Sequence, residues 1–169
     1  MSRWRPPQPP KSPYITAAGF TALQQELQDL WLRRAEVTRH LAAAAAEGDR
    51  SENAEYIYRK KQLREIDRRI RYLQKRLDEV QPIGPRQDNP GKAFFGATVT
   101  LEEEDGSEVT YRIVGADETD AERGWISVDS PVARALLGKA VGEEAVVRTP
   151  SGERWLTVIA VDYAESGET

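Results

Sequence analysis

The amino-acid sequence predicts an α+β protein, an N-terminal antiparallel α-helical coiled-coil hairpin followed by a C-terminal antiparallel sheet domain with one helix. Three observations predict it. Two long stretches repeat apolar residues at three- and four-residue steps, a break at Gly48 separates them, and beyond Pro90-Gly91 apolar residues recur every second position instead.

Composition narrows the class. The chain has 169 residues, 39% hydrophobic and 31% charged, with no cysteine. Disulfides and cysteine zinc sites are therefore excluded. No apolar run approaches the roughly 18 residues that span a membrane, and residues 1–13 lack the apolar stretch of a signal peptide. A cytoplasmic protein without a membrane partner is expected. The net charge of -4 hides an asymmetry: residues 1–90 carry 17 Lys/Arg against 12 Asp/Glu, and residues 91–169 carry 7 against 16. The two halves are expected to face different partners.

In chain order, residues 1–13 hold five prolines and three basic residues. They cannot bury enough apolar surface to offset the entropy of ordering, so they read as a disordered leader with no specific function. The hairpin is expected over 14–81. Thr16 suits an N-cap, and Phe20, Leu23, Leu27, Leu30, Val37 and Leu41 form a seam with Arg34 at its one skipped position. After Gly48, Leu63, Ile66, Ile70, Leu73, Leu77 and Val80 repeat the seam, so the two helices should pack antiparallel, each on the order of 45 Å long. Such seams close within one hairpin or between chains; a monomer is expected. Pro82-Ile83-Gly84-Pro85 stops the second helix, and 82–91 reads as a linker.

A second domain is expected over 92–163, with a tail at 164–169. Residues 97–101, 109–114, 125–128, 145–148 and 155–161 alternate as strands, with turns at Asp105-Gly106 and Ser151-Gly152. Pro131 to Leu137 suits one short helix, with Ser130 as its cap and Pro131 at its first position.

Two features carry potential chemistry. The hairpin turn reads Gly48-Asp49-Arg50-Ser51-Glu52-Asn53-Ala54-Glu55-Tyr56. On spacing alone, Asp49-x-x-Glu52 is a capping box and Gly48 a C-cap. Alternatively, its carboxylates supply part of the oxygen shell of Mg²⁺, a second molecule providing the remaining ligands. The second feature spans 56–77, where nine Lys/Arg oppose only Glu65 and Asp67. A solvated coiled-coil face explains part of this, with some cations pairing to Glu26, Asp29 and Glu36. The excess beyond that points to a polyanion, RNA or DNA. Tyr56, Tyr58 and Tyr72 could stack on bases or pack.

The C-terminal half offers no catalytic constellation. His40 reads as a surface residue, Asp129-Ser130-Pro131 as a strand-to-helix turn, and Phe94, Phe95, Tyr111, Trp125 and Trp155 as sheet core. The domain reads as a docking module.

The tip, the following Lys60-Lys61-Gln62-Leu63-Arg64-Glu65-Ile66-Asp67-Arg68-Arg69-Ile70-Arg71-Tyr72-Leu73, and the later Phe94-Phe95-Gly96-Ala97, Tyr111-Arg112-Ile113-Val114-Gly115 and Ile126 to Leu137 resemble the bacterial Gre transcript-cleavage factors, their GreB branch in particular. The resemblance covers about residues 14–163. It implies a coiled coil that enters the secondary channel of RNA polymerase and an FKBP-like C-terminal domain that docks on the largest polymerase subunit. It further implies that Asp49 and Glu52 act in the polymerase active centre, holding Mg²⁺ jointly with the polymerase. Arg50, Arg59, Lys60, Lys61, Arg64 and Arg68 would attract the nascent RNA 3′ end, and Asp129, Ser130 and Pro131 would grip the polymerase. The factor would be accessory rather than an enzyme. Two alternatives remain at this stage, a channel-binding regulator that never promotes cleavage and a prolyl isomerase.

Overall fold

The computed structural model describes residues 4, 6–48, 53–84 and 89–163. It divides into two compact units, one of residues 20–80 and one assembled from residues 1–19 and 81–169.

The first unit is the hairpin. Helix α1 spans Ala17–Ala45 and helix α2 spans Ala54–Glu79. Their seam is the expected one: Val37 packs on Ile66 and Ile70, with Leu27, Leu30 and Leu63 around them. Ile66, Ile70 and Leu73 are buried because the 3-4 spacing returns them to one face of α2. Arg34, at the skipped position of α1, turns its guanidinium to Asp67 at 2.6 Å instead of breaking the seam. Glu26 binds Arg69 through two hydrogen bonds of 2.7 and 2.9 Å, the expected cross-hairpin pairing. Asp29 and Glu36 bond within α1 instead, to Gln25 and His40. A three- or four-residue step along one helix brings those groups close without any help from tertiary packing.

The second unit is a five-stranded sheet with one helix. Its strands are β3 (Thr98–Glu103), β4 (Glu108–Val114), β5 (Trp125–Ser127), β6 (Glu144–Thr149) and β7 (Gly152–Asp162), in the order β5-β4-β3-β7-β6. Helix α3, Pro131–Leu136, follows β5. The alternation read from the sequence gives one inward face, on which Val99, Leu101, Ile113, Ala145, Val147, Leu156 and Val158 join Ala133 and Leu136 of α3 in the core. Gly106, at φ 82°, makes the tight turn between β3 and β4.

Three expectations are corrected. The sheet is not wholly antiparallel: β5 runs parallel to β4, in register Arg112↔Trp125. Residues 115–124 form a long connection that folds back through the Asp120↔Trp125 bridge, so β5 enters in the direction of β4. A tight hairpin turn cannot produce that orientation. Trp125 and Trp155 are not core, because their neighbours Ile126 and Leu156 take the inward positions and the period of two sends both indoles to the opposite face. The guanidinium groups of Arg112 and Arg123 lie 5.1 and 5.0 Å from the Trp125 ring centroid.

The third correction concerns leader and linker. Tyr14–Ile15 form strand β1, paired in parallel with strand β2, Gln81–Pro82. Residues 11–13, expected to be unordered, are tied down just before it. Ser12 N–H donates to Asp129 Oδ2 at 2.9 Å, Lys11 pairs with Asp117 at 3.8 Å, and the Pro13 carbonyl accepts from Gln81 N–H at 2.7 Å. Ile15 is 1% exposed, so its burial adds an apolar gain to these polar ties.

Candidate functional site

The hairpin turn is built from its two helix ends. α1 closes at Ala45, three residues before the glycine expected to cap it, and Gly48 follows with φ 139°, in the region that favours glycine. The start of α2 is capped by Asn53. Its Oδ1 accepts from Tyr56 N–H at 3.0 Å, while its Nδ2 donates to the Ala44 carbonyl at 2.7 Å. One amide thus satisfies an orphan donor of α2 and adds a second hydrogen bond to the Ala44 carbonyl, which also accepts from Glu47 N–H at 3.2 Å, stapling the two ends of the turn together. Sequence reasoning missed this residue, although an Asn directly before a helical run is a recognised start signal.

Asp49, Arg50, Ser51 and Glu52 lie outside the described residues. The staple still bears on them. A box built on Asp49 and Glu52 would start α2 directly after Asp49, whereas α2 starts at Ala54 with Asn53 in the cap. The N-cap position of α2 is therefore filled by the amide of Asn53.

Next to the turn, the cations of α2 divide into two groups. Arg59 is held within the hairpin, by Glu55 at 2.8 Å and Gln62 at 3.1 Å. Lys60, Arg64, Arg68, Arg71 and Lys75 recur every three or four residues and form one exposed stripe, with Lys61 flanking it. Among the described residues, no carboxylate lies at ion-pair distance from Lys61, Arg64, Arg68 or Arg71. The hairpin's own acids pair with Arg34 and Arg69, and Glu79 with Lys75 at 3.9 Å, while Arg64, Arg68 and Arg71 keep the stripe positive. Arg71 and Lys75 were not singled out as binding residues from sequence, but their spacing from Lys60 places them on this face.

Tyr56, Tyr58 and Tyr72 serve nearby cations, with Lys60, Arg59 and Arg69 at 5.8, 5.5 and 5.2 Å from the ring centroids. His40 is exposed, 3.8 Å from Glu36.

The third predicted site lies in the sheet unit. Ser130 caps α3, its Oγ accepting from Ala133 N–H at 3.2 Å, with Pro131 following at the helix start. Asp129 donates its N–H to Ser127 Oγ and accepts from Ser12. Ser130 and Asp129 are half-buried and Pro131 is exposed. The loop is thus a rigid platform, held on one side by the cap and on the other by the leader.

Sequence reasoning also missed Glu118. Its Oε2 accepts from Thr16 N–H at 3.0 Å and Gly115 N–H at 2.7 Å, and its Oε1 accepts from the Thr16 hydroxyl. Thr16 Oγ1 in turn accepts from Gly19 N–H at 3.0 Å, so the expected N-cap is present and is braced by a carboxylate 102 residues away.

Proton affinities are displaced elsewhere, at the opposite end of the sheet. A hydrogen bond to Glu103, with a second to Tyr111, raises the pKa of Arg154, and the Ser107 hydroxyl, with the Ser107 N–H, lowers that of Asp105. Among the described residues, no group of three or more His, Asp or Glu is arranged to hold a metal ion.

The described residues give a hairpin with a stapled turn and one cationic face, and a sheet unit presenting a braced loop, and that two-unit arrangement is one that a known class of transcription proteins shares. Residues 13–81 match the family description "Transcription elongation factor, N-terminal", and residues 87–163 match "Transcription elongation factor, GreA/GreB, C-term". The chain belongs to the GreA/GreB family of transcription elongation factors. It is 57% identical to the transcription elongation factor GreB of Xanthomonas axonopodis pv. citri, over 97% of this chain and 99% of that protein. To the GreB of Pseudomonas aeruginosa it is 53% identical, over 96% and 98%. A solved structure, that of GreA factor homolog 1 of Thermus thermophilus, covers 88% of this chain and 97% of its own at 26% identity, with a TM-score of 0.41.

Proposed function

We propose that this elongation factor binds bacterial RNA polymerase, docks its sheet unit on the largest subunit through Asp129, Ser130 and Pro131, and passes the hairpin into the secondary channel. There it stimulates cleavage of backtracked RNA by the polymerase active centre, and so rescues arrested complexes. The observation that carries this reading is the Asn53 staple. It puts Asn53, rather than Asp49 or Glu52, at the N-cap of α2, which supports a role for the two carboxylates other than that cap.

Those two carboxylates fit a shared Mg²⁺. The ion prefers oxygen donors and usually takes one or two protein carboxylates, with phosphate and water completing the shell. The chemistry supplied by the bound ion is activation of a water and stabilisation of charge at the phosphodiester. The chain's own part is to present Asp49 and Glu52 on a rigid hairpin. Arg50, Arg59, Lys60, Lys61, Arg64 and Arg68 attract the RNA 3′ segment, and each phosphate they neutralise adds to the salt dependence of the contact. The protein acts as a monomer in the bacterial cytoplasm, its seam closed within one hairpin, and the nuclease is the polymerase rather than this chain.

The test is a backtracked elongation complex carrying labelled RNA and Mg²⁺. Transcripts should shorten with the native chain and stay full-length with Asp49→Asn/Glu52→Gln, while polymerase binding is retained. Equal shortening by both proteins would remove the carboxylates from the reaction. A native chain that binds but never shortens RNA would make the protein a non-cleaving channel regulator.

A further inference from the structure

We infer that the proline-rich leader is a second polymerase-docking element, an extended basic arm that lies against an acidic, aromatic-lined protein surface beside the contact made by Asp129, Ser130 and Pro131. The inference rests on the docking function proposed above. Its first support is the leader's root. Ser12 bonds to the carboxylate of Asp129, and Lys11 pairs with Asp117, whose side chain is only 5% exposed. The arm therefore leaves the protein at the docking loop itself and must share its surroundings.

The second support is chemistry. Residues 1–13 contain Arg3, Arg5 and Lys11 and no acidic residue, whereas residues 91–169 carry a balance of -9. An acidic partner surface that the sheet unit would repel is matched by the arm. Pro6, Pro7, Pro9 and Pro10 favour a polyproline II conformation of about 3.1 Å per residue, already extended and with little entropy left to lose on binding. All four are exposed, and Trp4 is 82% exposed. Tryptophan is the side chain most enriched among residues that dominate interfaces, and polyproline ridges dock in aromatic grooves. Proline also lacks the backbone N–H that would hold a phosphate, which favours a protein surface over nucleic acid.

The experiment measures binding of labelled protein to core RNA polymerase free of nucleic acid, at low and moderate salt. Three proteins are compared: the native chain, a chain in which Met is followed directly by Lys11, and Trp4→Ala. The truncated chain keeps Lys11, Ser12 and Pro13, and its thermal melt should match the native one. Truncation should weaken binding about tenfold, and Trp4→Ala about threefold, equivalent to roughly 1.4 and 0.6 kcal/mol. Cleavage at saturating factor should be unchanged. Equal affinity for the native and truncated chains overturns the arm alone. Failure of the native chain to bind polymerase overturns the docking function and the arm together.

Discussion

At the scale of single residues, the candidate site depends on side chains that bridge distant backbone. Asn53 satisfies groups on both sides of the hairpin turn, at 2.7 and 3.0 Å. Asn53→Ala removes a cap worth about 0.5–2 kcal/mol and also the tie to the Ala44 carbonyl, which keeps only its bond from Glu47 N–H. The expected outcome is a hairpin destabilised by about 1 kcal/mol in urea titration, together with weaker RNA cleavage at unchanged polymerase affinity. Native cleavage in that variant would mean that the staple does not organise the tip. Glu118 works by the same logic, holding Thr16 and Gly115. A side chain at Gly115 would place its Cβ 2.4 Å from the Tyr14 carbonyl, so only glycine fits the approach of β1. Asn53 was legible as a helix start, but its bond to Ala44 was not, since nothing local names a partner nine residues back.

Among the elements, α1 and α2 were the most legible because a seam repeated over several turns has one solution. Their stability resides in that seam rather than in the ion pairs across it. Ile70 is 3% exposed, and Ile70→Ala should cost about 2–5 kcal/mol through lost transfer energy and an unfilled cavity. Glu26 and Arg69 keep 38% and 44% of their side chains in water, so Glu26→Gln should cost under about 1 kcal/mol. Urea denaturation of the two variants separates these terms; comparable losses would mean that the charge pair carries the packing. The strands were legible for the related reason that alternation marks an inward face. That pattern does not encode strand direction, and Trp125 and Trp155 illustrate a further limit: a large apolar residue follows its parity in the strand and not its hydrophobicity.

For the whole molecule, the boundary drawn from composition and the boundary in space differ. The sheet unit takes in residues 1–19 as well as 81–169, so a cut before residue 82 removes β1, the buried Ile15 and the Thr16 contacts to Glu118. A fragment of residues 82–163 should therefore melt below the sheet unit of the full chain, by roughly 4–8 °C for each kcal/mol lost. Calorimetry of the two proteins checks this, and equal melting temperatures would show that β1 contributes nothing to the sheet unit.

By itself the sequence determined the α+β class, the seams of α1 and α2 and the alternating pattern that marks the strands, while the carboxylates and cations of the tip are expectations that its resemblance to a known family implies. These are local or periodic properties, written into residues close together in the chain. The tertiary structure alone decided that β5 runs parallel to β4, that β1 pairs with β2, that Glu118 braces Thr16, and that the leader is rooted at Asp129. Each of these joins segments far apart in the chain. A two-residue strand or a single carboxylate carries no periodic signal, and its position is settled only when packing brings its partner within bonding distance.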